Sequence, residues 1–336
     1  MKSKFNYKKI DVHNHIYPKS YIKELKKRKS IPKVEEVEGE DKFYIFPENI
    51  TKSGRPLNSN FYDINKKIEI MDTVGIDKAV ISLGNPWVDC YNSEESVKIA
   101  KKMNNKIHEL VTKYPERLIG IGVLPLKNVE AAIKEMKRII EDLSFKGSVI
   151  GSNIDGMYLD DPELEKFYEE ANKLNFNLYV HPRDPYGINS LTGYQHTLPL
   201  SLGFPFDTTL SLSRLILSGV IDRYPNINFI SSHAGGAIPY IMNRIDQASD
   251  YNELGLKKEP SRYVKEEIYF DTIIYGTAQL NFLHKISSVD KILFATDNPF
   301  PITDIEEMIE QVKEMNLSEN KLKDIFYGNA EKLFNI

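Results

Sequence analysis

Two histidines, His13 and His15, stand one residue apart at the end of a short apolar run near the start of the chain. Alternate side chains of a β-strand point to the same face, so both imidazoles project in one direction if this run is a strand. At the mouth of an inward-facing strand they would converge on one point, where imidazole nitrogens can bind a metal ion. Taken alone, the pair is equally compatible with two incidental histidines near a surface strand.

Further side chains of the metal-ligand type end three later apolar runs of the chain. They are His181 after LYV, His233 after FISS and Asp297 after LFAT. Nitrogen and carboxylate donors of this kind suit Zn²⁺, with Mn²⁺ or Fe²⁺ as alternatives. Three histidines, one aspartate and a water would leave an open, reactive position, so we predict one divalent metal ion. Its expected ligands are His13, His15, His181 and Asp297.

The role of His233 stays open from the residues alone. It could be a further metal ligand or a catalytic base, and an ordinary histidine at a strand end is the third possibility. Among the other histidines, His108 and His284 fall in predicted helices and are expected at the surface. His196 falls in a long predicted loop, where its role is ambiguous.

The elements that must position these residues alternate along the chain. Eight short apolar runs read as strands, and they cover 10–13, 78–82, 118–124, 147–151, 177–181, 227–233, 267–271 and 291–297. Amphipathic helices are predicted between and after them, at 65–74, 94–114, 129–143, 161–174, 207–222, 237–250, 277–285 and 303–315. Such alternation predicts parallel strands covered by helices on the outside. We therefore expect an α/β fold, a single (β/α)₈ TIM barrel over residues 1–336 with an extra C-terminal helix. A doubly wound open sheet is the rival, but no glycine fingerprint follows the first strand.

Two predicted loops are far longer than the usual connection in such a fold. Residues 16–64 follow the first strand, and we expect them to form a helical piece and a small hairpin over the C-terminal mouth of the barrel. Residues 183–206 follow the fifth strand. Both insertions leave the carboxyl ends of strands, where barrel enzymes build their active sites.

Composition excludes several classes of function. The 336-residue chain is 41% hydrophobic and 27% charged, with a net charge of −4, so no basic footprint indicates a nucleic-acid partner. The single cysteine, Cys90, excludes an internal disulfide and fits a reducing compartment. No apolar run is long enough to span a membrane, and the start of the chain lacks the apolar segment of a secretion signal. A cytoplasmic location without a membrane partner is therefore expected.

An ordered set of motifs along the whole chain resembles the amidohydrolase superfamily. The motifs are IDVHNH, Arg55-Pro56 leading to IEIMDTVGID, LYVHP, LSLSRLILSGVIDRYP, SSHAGGAIPYIMNRID, ATDNPFP and YGNAEKLFNI. The His-x-His pair alone is a weak signal, but the ordered set is a strong one. Within the superfamily the chain is most similar to the aminocarboxymuconate-semialdehyde decarboxylase group.

The resemblance implies roles for the residues that match. It implies that His13, His15, His181 and Asp297 hold one divalent ion, most simply Zn²⁺, and that His233 and Asp297 are catalytic. His233 would act as acid or base on the metal-bound water or on the substrate. The resemblance also implies that Arg55 and Arg244 hold substrate carboxylates, because the planar guanidinium grips a carboxylate at two points. The alternative for each arginine is a surface salt bridge.

The same resemblance carries a prediction about assembly and one departure. Arg244 would reach the active site of a neighbouring subunit, so a homodimer is expected. After the His-Pro of the fifth strand, the related decarboxylases place a tryptophan against the substrate, whereas this chain has Arg183. We expect Arg183 to line the substrate pocket and to change the shape or charge that the pocket accepts.

Three functions follow in order of preference. The first is non-oxidative decarboxylation of a small unsaturated or aromatic carboxylic acid. The second is hydrolysis of a lactone, amide or ester, or hydration of an unsaturated dicarboxylate, by the same metal site. The third is a non-catalytic metal-binding barrel, which would not need His233 or the arginines.

Overall fold

Eight short, buried, parallel strands form the centre of the molecule. The computed structural model describes residues 7–300 and 302–336, so the stretch on which the expected lack of a secretion signal rests lies largely outside the described residues. The strands are β1 (Ile10–Ile16), β2 (Lys78–Leu83), β3 (Leu118–Gly120 with Gly122–Val123), β4 (Ser148–Gly151), β5 (Asn177–His181), β6 (Asn228–Ser231), β7 (Tyr269–Asp271) and β8 (Ile292–Leu293).

The strands pair in chain order and the sheet closes on itself. One set of ladders joins β1, β2 and the first part of β3, and another joins the second part of β3 through to β8. Between the two parts of β3, the amide of Ile121 donates to the carbonyl oxygen of Ile81 at 3.1 Å. The circle is closed where the amide of Val12 donates to the carbonyl oxygen of Phe294 at 3.0 Å. The predicted (β/α)₈ barrel is therefore confirmed.

The main helices lie at the predicted places in the alternation. They are α1 (Ile64–Val74), α2 (Ser93–Lys113), α3 (Val129–Glu141), α4 (Glu165–Lys173), α5 (Phe204–Leu217), α6 (Ile238–Ala248), α7 (Thr277–Ile286) and α8 (Ile305–Lys313). Shorter helices lie at Lys19–Lys26, Ser59–Tyr62, Val220–Arg223, Pro260–Glu266, Glu319–Lys323 and Asn329–Phe334. None of the helices in the described ranges is long and apolar enough to cross a membrane.

The helix α3 shows why the sequence forms these elements. Its N-cap, Asn128, accepts a hydrogen bond from the amide of Ala131 at 3.0 Å, which satisfies one of the free amides of the first turn. Ala132, Met136 and Ile139 recur at helical spacing and are fully buried against the barrel. The helix stops before the loop that leads to β4.

The two long insertions have structure of their own. The first contains the helix Lys19–Lys26, an antiparallel hairpin of Lys33–Val37 and Glu40–Tyr44, and the short strand Arg55–Pro56, which pairs with the second hairpin strand. The second is less of a loop than expected. It contains a π-helical turn at Pro199–Gly203 that continues into α5, so this helix begins three residues before the predicted position.

Side chains from both insertions form a small hydrophobic cluster separate from the main core. We call it the cap cluster. Its buried members are Phe46, Ile50 and Leu191, and packed against them are Ile45, Ile188, Leu198, Leu200 and Phe204. The two insertions thus stabilise each other by apolar burial.

Candidate metal centre

Four ligand-type side chains meet at the carboxyl end of the barrel. Within this group, His13 and His15 lie in the second half of β1, His181 ends β5 and Asp297 follows β8. One donor atom from each lies within 4.8 Å of all the others, and all four residues are buried. The Nε2 atoms of His13 and His15 are 2.8 Å apart, and Oδ1 of Asp297 lies 3.3 Å and 3.1 Å from them.

A β-bulge in β1 places this strand's side chains. The register to β2 shifts between Asp11, which pairs with Ala79, and Asn14, which pairs with Ile81. Three residue steps on β1 therefore face two on β2, and Asp11 and Asn14 come to the same side. There the Asn14 amide Nδ2 donates to Oδ2 of Asp11 at 2.6 Å. Bulges next to sites redirect side chains in this way, and simple strand alternation did not predict one here.

Hydrogen bonds at Nδ1 decide which nitrogen of each imidazole is free. Nδ1 of His181 lies 2.9 Å from the carbonyl oxygen of Pro182, which can only accept, so Nδ1 carries the hydrogen. Nδ1 of His15 lies 3.1 Å from Oγ of Ser82, whose hydroxyl donates to the carbonyl oxygen of Asn14 at 3.5 Å. Both rings therefore present the Nε2 lone pair to the centre.

Asp271 fixes the hydrogen of the His13 imidazole on Nδ1. Its Oδ2 lies 2.8 Å from His13 Nδ1 and accepts a further hydrogen bond from the Tyr179 hydroxyl at 2.9 Å. Its Oδ1 accepts from the amide of Ala234 at 2.9 Å. Asp271 is not among the site residues predicted from the sequence, although it stands at the end of the seventh predicted strand, as most of the predicted ligands stand at the ends of theirs.

The charge states of the group suit a cation. Burial would raise the pKa of the Asp297 carboxyl, but the neighbouring imidazoles of His13, His15 and His233 hold it well below its usual value. Burial lowers the pKa of His15 to about 4, and burial with the neighbouring imidazoles lowers that of His181. Burial also acts to lower the pKa of His13, but Asp297 and Asp271 outweigh it and raise the pKa. A cation at the centre would replace the proton that His13 attracts.

The residues present fit a divalent metal ion. Oδ1 of Asp297 is a buried atom without a hydrogen-bond partner among the described residues, and it faces the Nε2 atoms of His13 and His15. Lone pairs that face one another without intervening protons repel unless a cation lies between them. Three imidazole nitrogens and one carboxylate oxygen are a donor set for Zn²⁺, Mn²⁺ or Fe²⁺.

His233 lies beside this group. Its Nε2 is 3.6 Å from Oδ2 of Asp297, and its ring centroid is 5.2 Å from that of His181. Its Nδ1 is buried and has no hydrogen-bond partner among the described residues. The backbone of His233 (φ 52°) and of Asp297 (φ 58°) is left-handed, a strained conformation for such residues that is found at functional sites.

A cavity of about 720 Å³ opens from the metal centre. Next to His15, His181, His233 and Asp297, its inner wall is formed by Tyr17, Arg55, Asn85, Tyr275 and Phe300. Most of the remaining lining is aliphatic or aromatic. A ligand held here would therefore contact the metal centre at one end and apolar side chains over most of its surface.

Arg55 is the one lysine or arginine among the described residues that line this cavity. The backbone of Arg55 pairs with that of Phe43 in the hairpin, and the Arg55 guanidinium lies 4.8 Å from the centroid of the Phe300 ring. Burial lowers the pKa of Arg55, but guanidinium remains a cation in proteins. The insertion after β1 thus delivers one partly buried positive charge to a largely apolar wall.

The structure places the other two arginines away from this cavity. The Arg183 guanidinium lies 2.7 Å from Oδ2 of Asp184 and 3.4 Å from Oδ1 of Asp155. These acidic neighbours hold the side chain away from the cavity, so Arg183, contrary to the expectation from the sequence, is not among the described residues that line it. Arg244 is exposed on α6 and has no ion pair among the described residues. In contrast, His196, left ambiguous by the sequence, lies on the cavity wall against Phe46, with ring centroids 5.5 Å apart.

The chain is similar to known proteins over nearly its whole length, both in sequence and in fold. A family model described as amidohydrolase matches residues 10–336. The 2-amino-3-carboxymuconate-6-semialdehyde decarboxylase of Dictyostelium discoideum is 28% identical over 96% of this chain and 90% of its own. The apo structure of IDCase from Metarhizium anisopliae superposes with a TM-score of 0.91 at 29% identity, over 98% of this chain and 97% of that one. A dihydroxybenzoic acid decarboxylase from Polaromonas sp., solved with manganese and the inhibitor 2-nitroresorcinol, gives a TM-score of 0.80 at 25% identity, over 98% and 97% of the two chains.

Proposed function

Because the chain belongs to the amidohydrolase family, we propose that it is a metal-dependent, non-oxidative decarboxylase of a small aromatic or unsaturated carboxylic acid. One observation carries the proposal. A buried cluster of three histidines and an aspartate borders a largely apolar cavity in which the partly buried Arg55 is the one lysine or arginine among the described lining residues. The relatives named above as decarboxylases of such acids support it.

The cavity favours a carboxylate substrate over a neutral one. Arg55 is partly buried and forms no salt bridge with any of the described residues. A neutral lactone, amide or ester would leave this guanidinium desolvated and unpaired, whereas a substrate carboxylate would pair with it through two hydrogen bonds. Decarboxylation is therefore preferred to hydrolysis.

We assign the ion to His13, His15, His181 and Asp297. When bound, a divalent ion would supply Lewis-acid polarisation of substrate oxygen atoms. Zn²⁺ suits this donor set, and the manganese of the Polaromonas enzyme makes Mn²⁺ an equal candidate. Fe²⁺ is the third.

The chain's own residues account for orientation and proton transfer. In the reaction the bond between the ring carbon and the carboxylate carbon breaks, its electron pair stays on the ring carbon, and that carbon takes one proton as carbon dioxide leaves. His233 borders the cavity and would deliver this proton. Asp297, 3.6 Å from His233 Nε2, would stabilise the charged imidazole before the transfer. The ring centroid of Phe300 lies 4.8 Å from the Arg55 guanidinium, so Phe300 would shield one face of that guanidinium from water.

We further propose a homodimer in which Arg244 completes the partner's cavity. In support, Arg244 is exposed without an ion pair among the described residues, and Tyr240, one turn earlier on α6, is 81% exposed. The Tyr240 ring lies 6.3 Å from that of Phe282 on α7, so an aromatic surface flanks the free arginine. Aromatic residues and arginine are the types enriched in protein interfaces.

The test is decarboxylation in heavy water. Protein loaded with Mn²⁺ or Zn²⁺ is incubated in D₂O with a panel of hydroxybenzoic and unsaturated acids, and the product is examined by NMR. We expect carbon dioxide release and one deuterium at the carbon that lost the carboxylate. A His13→Ala/His15→Ala double variant is the control, and it should lose both the ion and turnover while the barrel remains folded, because stability lies in the packed layers and the opposite face. Turnover of lactones or esters without carbon dioxide release would refute the proposal.

A further inference from the structure

The outer part of the cavity is built differently from the metal end. Four members of the cap cluster also line it, namely Ile45, Phe46, Leu200 and Phe204. Towards solvent the wall continues with Leu202, Phe206 and Ile302, which are all exposed although they are large and apolar. Apolar side chains exposed along a concave wall gain free energy when a ligand displaces water from them.

We propose that the substrate carries an apolar substituent of several carbon atoms on the side of its ring away from the carboxylate. This inference rests on the proposed function, since Arg55 is taken to hold the carboxylate beside the metal centre. The substituent would then contact the cap cluster and Leu202. A second carboxylate there would lose water without meeting a lysine or arginine, because Arg55 is the one such residue among the described lining residues.

Calorimetric binding of 4-alkylbenzoates, from methyl to butyl, to the metal-loaded protein tests this. Each added methylene should tighten the Kd by about 3- to 4-fold until the space is filled. In a Leu202→Ser variant the gain for butyl should shrink while methyl binding stays the same. Leu254→Ser is the matched control, since Leu254 is 45% exposed against 41% for Leu202 but does not line the cavity.

Binding that does not strengthen along the series would overturn the proposal, and so would equal effects of the two leucine variants. Binding is measured here without turnover. If the Kd tightens along the series but no acid releases carbon dioxide, the proposed function is contradicted and the proposed ligand class stands. If the Kd does not change along the series but turnover is normal, the proposed ligand class is contradicted and the proposed function stands.

A second, independent observation concerns a buried lysine behind the metal centre. Lys67 on α1 is only 1% exposed. Its Nζ donates to Oδ1 of Asn14 and, at 2.7 Å, to Oδ1 of Asn298. Asn14 stands between the two histidines of β1, and Asn298 follows Asp297. One side chain thus joins the residues adjacent to three of the four proposed ligands.

This contact lies on the seam where the barrel closes. The amide of His15 donates to the carbonyl oxygen of Asn298 at 2.8 Å, and the amide of Asp297 donates to that of His13 at 2.9 Å. The backbone bridge between Asn14 and Asn298 lies at the same level, and Asp11 of β1 accepts hydrogen bonds from the amide of Thr296 at 3.0 Å and from its hydroxyl at 2.6 Å. The Lys67 amine adds a side-chain link across the same seam.

We infer that Lys67 is a positioning residue, which holds the β1 histidines and Asp297 at metal-binding separation. Residues that orient ligands from behind typically change metal affinity by ~10- to 100-fold when they are lost. The bonded partners are amide oxygens, and the amine needs no counter-ion to donate to them. Loss of the amine would remove the donor to the side-chain oxygens of the buried Asn14 and the partly buried Asn298, and would loosen the turn that carries Asp297.

Lys67→Met and Lys9→Met form a matched pair for the test. Lys9 is 3% exposed, precedes β1, and donates to the carbonyl oxygens of Tyr7 and Gly75 at the opposite end of the barrel. Mn²⁺ affinity is measured by chelator competition, with thermal unfolding of the metal-free proteins alongside. We expect both variants to lose thermal stability, but only Lys67→Met to bind Mn²⁺ about 10- to 100-fold more weakly.

Wild-type affinity in Lys67→Met would overturn the inference, and so would an equal loss in Lys9→Met. A wild-type protein that binds no divalent ion would instead contradict the metal centre on which the proposed function depends. The two failures are therefore distinguishable.

Discussion

Asp271 and His13 form a buried pair in which the carboxylate sets the imidazole's tautomer. Oδ2 of Asp271 lies 2.8 Å from Nδ1 of His13, and both side chains are almost completely removed from solvent. An ionised carboxylate can only accept, so the hydrogen stays on Nδ1 and the lone pair of Nε2 faces Asp297. Carboxylate–histidine pairs behind a metal ligand also raise its basicity.

Asp271→Asn should therefore weaken metal binding by ~10- to 100-fold. The amide nitrogen of asparagine can donate to Nδ1 and so move the imidazole hydrogen to Nε2, where it blocks coordination. Chelator competition measures the affinity. Tyr179→Phe, which removes another hydrogen bond to the same carboxylate, is the control and should have a smaller effect. Unchanged affinity in Asp271→Asn would show that the tautomer does not matter.

His233→Asn should retain the metal ion and lose most turnover. A general acid or base contributes ~10²–10⁴-fold in rate, and His233 lies beside the four proposed ligands and not among them. Metal content and kcat are measured on the same preparation. Loss of the ion would make His233 a ligand, and normal turnover would exclude it from catalysis.

Asp89 provides a test of burial electrostatics through pH. Burial raises the pKa of its carboxyl to about 7. Between its unfolded value near 4 and about 7, the folded state binds more protons than the unfolded state, so stability falls as pH rises through that window. The Asp89→Asn variant has no carboxyl group to ionise at this position, so it does not lose stability in this way. Relative to wild type it should therefore gain a few kcal/mol in free energy of unfolding by pH 8, and the gain should vanish near pH 4.

Denaturant unfolding at several pH values measures this difference. Asp155→Asn is the control of opposite sign, because the hydrogen bond from Lys127 lowers the pKa of Asp155. Its contribution is present at neutral pH and is lost as pH falls, so this variant should be slightly less stable at neutral pH. The side chain is largely exposed, which keeps the effect small. A pH-independent difference for Asp89→Asn would contradict a raised pKa.

If Arg244 of each subunit completes the partner's cavity, two inactive variants should restore activity when they form a mixed dimer. Arg244→Ala and His233→Asn chains should each be nearly inactive alone. In a mixed dimer one of the two cavities has both His233 and the partner's Arg244. Statistical mixing makes half of the molecules mixed, each with one working cavity, so about a quarter of wild-type activity should return. Activity that stays at the level of the single variants after confirmed subunit exchange would place Arg244 outside the partner's site.

Residue types and their spacing were enough to predict the barrel and to bring the four proposed ligands together. The reason is geometric. Parallel strands in chain order end at the same mouth, so a histidine or aspartate at a strand end must lie near the others once the barrel is inferred. Helical periodicity predicted most of the helices, such as α3, because an apolar stripe has one way to face the barrel.

The contacts between side chains that are distant in sequence were decided only by the tertiary structure. No periodicity indicates that Asp271 holds His13, that Lys67 reaches both Asn14 and Asn298, or that the β1 bulge brings Asp11 to the side of Asn14. Arg183 has the right position for the pocket wall, but Asp155 and Asp184 attract its side chain elsewhere. Strand order limits where a residue lies, whereas the direction and charge state of its side chain depend on all the neighbours that packing assembles around it.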